Sequence, residues 1–167
     1  MAIVTRKPRS SSLRGQQFIR VEDLTKKEPE RGLVSPLKKK AGRNAYGRIT
    51  VRHRGGGAKR KYRLVDFRRV YRNVPGEIRA IEYDPNRNVP IALVVYRNGA
   101  KSYILRPDKL VVGSLVEAGV DVEPKVGNCL PLKNIPIGFF VHNVELFPGR
   151  GAKFARSAGT SIQLMAK

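Results

Sequence analysis

The chain has 167 residues, 41% of them hydrophobic, with 34 Lys and Arg against 13 Asp and Glu, for a net charge of +21. That length supports one domain or two small ones, and the hydrophobic content excludes a wholly disordered basic tail. The single Cys excludes an internal disulfide and a Cys-based zinc site, and the longest uncharged stretch, Asn134 to Val144, is too short for a membrane-spanning helix. The charge excess goes far beyond what solubility needs, so it points to a polyanionic partner.

The charge is concentrated early. Residues 1–74 hold 22 Lys and Arg and 5 acids, whereas residues 75–167 hold 12 and 8. Residues 1–44 read as an extended basic arm, interrupted by Pro8, Ser10 to Ser12, Pro29, Gly32 and Pro36, and unable to order itself without a partner. Met1 to Val21 has the Arg- and Ser-rich composition of an organellar transit peptide. Pro8 and Gly15 break any amphipathic helix there, which favours a nucleic-acid-binding tail.

From Tyr46 onward the pattern predicts strands and turns. Tyr46 to Arg52 and Arg60 to Arg69 are β-rich, followed by strands at Glu77 to Tyr83, Pro90 to Arg97 and Ala100 to Leu105. Asp84-Pro85-Asn86-Arg87 is a turn, and Arg97-Asn98-Gly99-Ala100 is a hairpin signal. Val111 to Val122 could form only a short helix, because Gly113 and Gly119 interrupt it. Ile137–Leu146 and Thr160–Met165 are later strands, separated by Pro148-Gly149-Arg150-Gly151. This spacing predicts an all-β protein with a five-stranded barrel over 45–126 and a second β unit beginning at 127. The second unit has few strands and stops on an apolar one, so it reads as a truncated barrel or as one completed by another chain.

The segment with the most chemistry is 43–69. Eight Lys and Arg lie within 43–63 with no acid among them, on both sides of Gly55-Gly56-Gly57. Such a cluster repels itself unless it meets a counter-charge. The glycines permit close backbone approach and the arginines offer planar forks to phosphate. The candidate RNA-binding residues here are Arg43, Arg48, Arg52, His53, Arg54, Gly55, Gly56, Gly57, Lys59, Arg60, Arg63, Arg68 and Arg69, with Lys38, Lys39 and Lys40 just before them. Arg87 and Arg156 are loop arginines on a β scaffold, well placed to reach ribose-phosphate, and Lys153 is a further candidate beside Arg156.

Enzyme signatures are missing from the sequence. There is no Walker-type loop, no dinucleotide fingerprint, no His-Glu-x-x-His and no Gly-x-Ser-x-Gly. His53, between arginines, can stack on or donate to RNA. His142, in an apolar strand, reads as a core residue, and Cys129 as a small packed hydrophobe. Two other classes stay open. A single-strand binder would need stacking platforms, for which Tyr62, Tyr83, Tyr96 and Tyr103 are candidates, and a nuclease would need converging carboxylates. No catalytic residue, metal ligand or cofactor is assigned, apart from Mg2+ associated with the RNA.

Several stretches resemble the large-subunit ribosomal protein two family. They are Leu37-Lys38-Lys39-Lys40-Ala41-Gly42-Arg43-Asn44, Gly47-Arg48-Ile49-Thr50-Val51-Arg52-His53 and Gly55-Gly56-Gly57. Tyr62-Arg63-Leu64-Val65-Asp66-Phe67, Ile81-Glu82-Tyr83-Asp84-Pro85-Asn86-Arg87 and Asn134-Ile135-Pro136-Ile137-Gly138 extend the match. Val141-His142-Asn143-Val144-Glu145-Leu146, Pro148-Gly149-Arg150-Gly151 and Ala155-Arg156-Ser157-Ala158-Gly159-Thr160 complete it. The resemblance implies an OB-fold followed by an SH3-like barrel, here incomplete, with Arg87 and Arg156 on ribosomal RNA. It also implies a non-enzymatic role, with 23S-type rRNA, neighbouring large-subunit proteins and small-subunit rRNA as partners, and no membrane. The type resembled places the chain on the cytoplasmic ribosome of a bacterium, or on an organellar ribosome. Family members continue past this point to a His-bearing extension near the peptidyl-transferase centre, and neither His53 nor His142 corresponds to that histidine.

Overall fold

The structure is a computed structural model that describes residues 2–20, 24, 25 and 28–167. Its strands among those residues are β1 Ala2–Thr5, β2 Gln17–Arg20, β3 Val34–Pro36, β4 Lys61–Arg63, β5 Gly76–Glu82, β6 Ile91–Tyr96, β7 Lys101–Leu105, β8 Leu115–Val116, β9 Phe140–Val141, β10 Val144–Glu145, β11 Ala152–Phe154 and β12 Ile162–Gln163. The only helical pieces among the described residues are three-residue 3-10 turns. No helix among them is long and apolar enough to cross a membrane.

The sequence of β6, Ile-Ala-Leu-Val-Val-Tyr, lacks polar alternation, as expected for a strand covered on both sides. It lies inside an antiparallel sheet of order β7-β6-β5-β8. One face packs Ile78, Ala92, Val94, Tyr96, Ile104, Leu110 and Val116 into a core. The other packs Ala80, Ile91, Leu93, Tyr103 and Leu105 beneath Leu33, Val65, Phe67 and Val89. Each fully buried Ile, Leu or Val contributes about 1.5–3 kcal/mol of transfer free energy, so this sheet supplies the main stabilisation. The β5–β6 register shifts between Ile78 and Ala80, which leaves Arg79 as an extra residue in a β-bulge and assigns Ile78 and Ala80 to opposite faces. The expected turn at Asp84 and the Asn98-Gly99 hairpin both form, with Arg87 N donating to Asp84 O at 3.2 Å and Gly99 N to Tyr96 O at 2.9 Å.

The sheet edges are covered. Asp66 N donates to Tyr103 O at 2.8 Å beside β7, and Thr25 N to Ile81 O at 3.0 Å where β5 runs past β8. With the 61–66 segment added, the curled sheet is an OB-type half-barrel in an all-β protein.

Part of the basic arm is ordered onto this body. β3 pairs with β4, and Glu30 N donates to the Tyr103 hydroxyl at 2.7 Å. That hydroxyl donates to Glu82 Oε2 at 2.6 Å, and burial together with this bond holds the Tyr103 phenol well above its ordinary range. Lys101 Nζ meets Glu30 Oε1 at 3.0 Å. Residues 2–20, expected as a tail, form a β1–β2 hairpin, while Val21 lies outside the described residues.

Other local expectations need correcting. Tyr46 to Arg52 is not a strand but a set of turns with one bridge, Arg43 to Ile49, because the Asn44 side chain captures backbone amides there. Of Arg60 to Arg69, only Lys61–Arg63 is extended into a ladder. No helix forms over 111–122, where turns lead into β8. Asn143, at φ +58°, breaks the strand expected over 137–146 into β9 and β10. Cys129 is exposed rather than packed, and its backbone carries the contact, with Cys129 N donating to Glu117 O at 3.0 Å.

Residues 127–167 form two ladders, β10–β11 and β9–β12, seated on the body through Ala152 N to Phe67 O at 3.0 Å and Arg69 Nη2 to Gly127 O. His142 is partly buried here, and desolvation, helped by the Arg69 charge, lowers its imidazole pKa.

Candidate nucleic-acid interface

The acid-free run from Arg31 to Val65 contains twelve Lys and Arg. Its centre folds without an apolar core. Gly42 O accepts from Thr50 N at 2.9 Å and Val51 N at 3.1 Å, and Gly42 adopts φ +68°. A Cβ there would lie 2.2 Å from Val51 O, so glycine is required for the chain to close on itself. Asn44 Oδ1 accepts from Tyr46 N and Arg48 N, both at 3.0 Å. The result is a compact loop whose cations, Arg43, Arg48, Arg52 and Arg54, are all exposed, together with His53.

The Gly55–Gly57 loop is held in shape by a cation from the preceding lysine run. Lys39 Nζ donates to Gly56 O at 2.9 Å, Gly57 O at 3.0 Å and Ala58 O at 2.9 Å. All three of its donors are therefore committed to the loop backbone. The glycines run through positive φ, +133°, +66° and +70°. Lys38, Lys40 and Lys59 stay exposed, and Arg60 is exposed with Nη1 donating to Pro85 O at 3.0 Å.

Three of the expected arginines turn inward. Arg63 is 9% exposed and donates to Lys61 O. Arg69 is equally buried and holds Gly127 O. Arg87 pairs through Nη1 with Asp84, which is 0% exposed, reaches the Tyr62 hydroxyl at 3.2 Å and lies over the Tyr62 and Phe67 rings. Buried polar groups need such partners, so these guanidinium groups position the surface around them.

A cleft of about 430 Å³ lies where the two β units meet, lined by Val65, Asp66, Phe67, Arg68, Arg150, Gly151, Ala152, Lys153 and Arg156. Arg156 stacks at 3.8 Å over the Phe67 ring, which also neighbours Arg87. The one acid, Asp66, is occupied by the amides of Arg68, Arg69 and Val70 at 3.0, 2.8 and 3.1 Å. Arg68, Lys153 and Arg156 thus converge from distant sequence positions. Arg150 joins them, although the sequence marks it only as part of a turn, and its Pro-Gly-Arg-Gly context is the one signal for it. Among the described residues, no group of three or more His, Cys, Asp or Glu could hold a metal ion.

Two family models match the chain. That of ribosomal proteins L2, RNA binding N-terminal domain, covers residues 30–118, and that of ribosomal proteins L2, C-terminal domain, covers residues 125–167. The first spans the cationic loops and the sheet, and the second spans the two ladders whose Arg150, Lys153 and Arg156 close the cleft. With more than half its length inside the first match alone, the chain belongs to the family of ribosomal proteins L2.

Proposed function

We propose that this chain, a structural ribosomal protein of the large subunit, binds 23S-type rRNA directly and so supports subunit association and the peptidyl-transferase region. The observation that carries the reading is the acid-free stretch of 31–65, whose exposed cations stand on a loop that no apolar core supports. Phosphate contacts would come from Lys38, Lys40, Arg43, Arg48, Arg52, Arg54, Lys59 and Arg60, with His53 beside them. The cleft cations Arg68, Lys153 and Arg156 form a second contact region. Lys39 shapes the Gly55–Gly57 loop, and Arg63, Arg69 and Arg87 hold the surface in place. Neighbouring large-subunit proteins and small-subunit rRNA are the further partners. Any Mg2+ belongs to the fold of the RNA, and the protein itself carries out no reaction. The ribosome is that of a bacterial cytoplasm or of an organelle.

A free single-strand binder finds less support, because Tyr96 and Tyr103, two of its four candidate platforms, are buried in the sheet. The test is binding of the full chain to deproteinised large-subunit rRNA across a salt series. With about eight phosphates neutralised, log K should fall against log salt with a slope of about −6 to −7. A slope shallower than about −2 would overturn the reading.

A further inference from the structure

Tyr46 is 89% exposed, the highest exposure of any large apolar side chain among the described residues. Its ring and hydroxyl make no hydrogen bond or ring contact among those residues. Yet its backbone is tightly fixed. Asn44 Oδ1 accepts from Tyr46 N at 3.0 Å, Gly47 N donates to Asn44 O at 3.1 Å, and Asn44 N donates to Arg48 O at 3.0 Å. A hydrogen-bonded turn therefore holds an aromatic ring out in solvent, with the exposed cations Arg43 and Arg48 flanking it along the chain.

We propose that Tyr46 is a stacking platform for an unpaired nucleobase of the bound RNA. The inference rests on RNA being the ligand, as above, and adds a base contact to an interface otherwise built for phosphate. An exposed ring offers a large apolar face, and the turn has already met much of the ordering cost of binding. The surrounding charge selects a polyanion over an apolar protein groove. Bases in a continuous duplex are hidden in the stack, so the partner is a base in a loop, bulge or single strand. Neighbouring arginines would hold the flanking phosphates while the ring covers the base.

The chain contains no Trp, so Tyr46→Trp introduces a single indole fluorophore at the proposed contact. Two probes are used with the full chain, deproteinised large-subunit rRNA and a fully paired RNA duplex. Stacking predicts strong quenching of the indole emission in the rRNA complex and much weaker quenching with the duplex. In parallel, Tyr46→Ala should weaken rRNA binding about tenfold with the salt slope unchanged, while Tyr46→Phe stays within about twofold of the native chain. Binding with the expected steep slope but with emission unquenched, or shifted to the blue as in an apolar pocket, overturns the stacking contact and leaves the RNA-binding function standing. Failure to bind rRNA overturns both.

Discussion

The 38–58 loop and the β5–β8 sheet are ordered by opposite means. In the sheet, apolar side chains on both faces are withdrawn from water, and hydrogen bonds follow the strands. In the loop nearly every side chain is exposed, and order comes from carbonyls and amides captured by Gly42, Asn44 and Lys39. The difference shows how a small protein can devote a whole surface to charge. The stabilising groups are moved from the side-chain face to the backbone, so cations need not compete with a core for position. Arg87 and Asp84, just past the end of β5, belong to the first regime, and the Lys39 ammonium belongs to the second.

The largest way to break this comparison is on the sheet side. Arg87→Met leaves the buried Asp84 carboxylate without its guanidinium partner. The expected cost is about 3 kcal/mol, a fall in Tm of roughly 6–10 °C. Thermal unfolding checks it, and Asp84→Asn in the same chain should restore part of the loss. An unchanged Tm would mean that Arg87 is not a positioning residue.

The loop side should respond differently. Lys39→Met removes three hydrogen bonds to the glycine loop, so rRNA binding should weaken about fivefold to tenfold through loss of loop shape. Its salt slope should change by less than about half a unit. Lys38→Met or Lys40→Met, at exposed cations, should each reduce the slope by about 0.9. A full unit lost on Lys39→Met would make that residue a phosphate contact after all.

The smallest effect sharpens the contrast by reading the folded body alone. Desolvation depresses the His142 pKa in the folded state, so the unfolded chain binds the proton more readily. Stability contributed by neutral His142 is fully present above the unfolded imidazole pKa and is lost as pH falls from there through the lower folded value. Tm should therefore decline as the pH is taken from about 7 to about 5, and His142→Gln should flatten that decline.

What was legible in the sequence follows the same division. The paired strands β5, β6 and β7, their turns and the body of the all-β fold were readable, because burial and turn chemistry leave a local pattern. The cationic cluster was readable from composition alone. Its internal sorting was not: Gly127, the partner of Arg69, is distant in the chain, and although Lys61 and Asp84 stand close to Arg63 and Arg87, the burial that directs those guanidinium groups onto them leaves no local pattern. Lys39 stands between two lysines of identical chemistry, and only the distant carbonyls of the 56–58 loop distinguish it. Residues 46–52 look extended by propensity, but a single Asn side chain outweighs that preference. Tyr46 has no local signal that sets it above the four tyrosines of the strand-like text, two of which the sheet buries.

The bulge at Arg79 divides β5 into two reading frames. Before it, even-numbered positions such as Ile78 enter one core, and after it, even-numbered positions such as Ala80 and Glu82 enter the other. A deletion at this point would not merely shorten a strand. It would exchange the two sets of side chains, sending the Glu82 carboxylate away from Tyr103 into the opposite apolar layer and Ile81 out of it. The single inserted residue thus keeps two cores in phase, and length changes there should be tolerated far less than in the exposed loops on either side of the sheet.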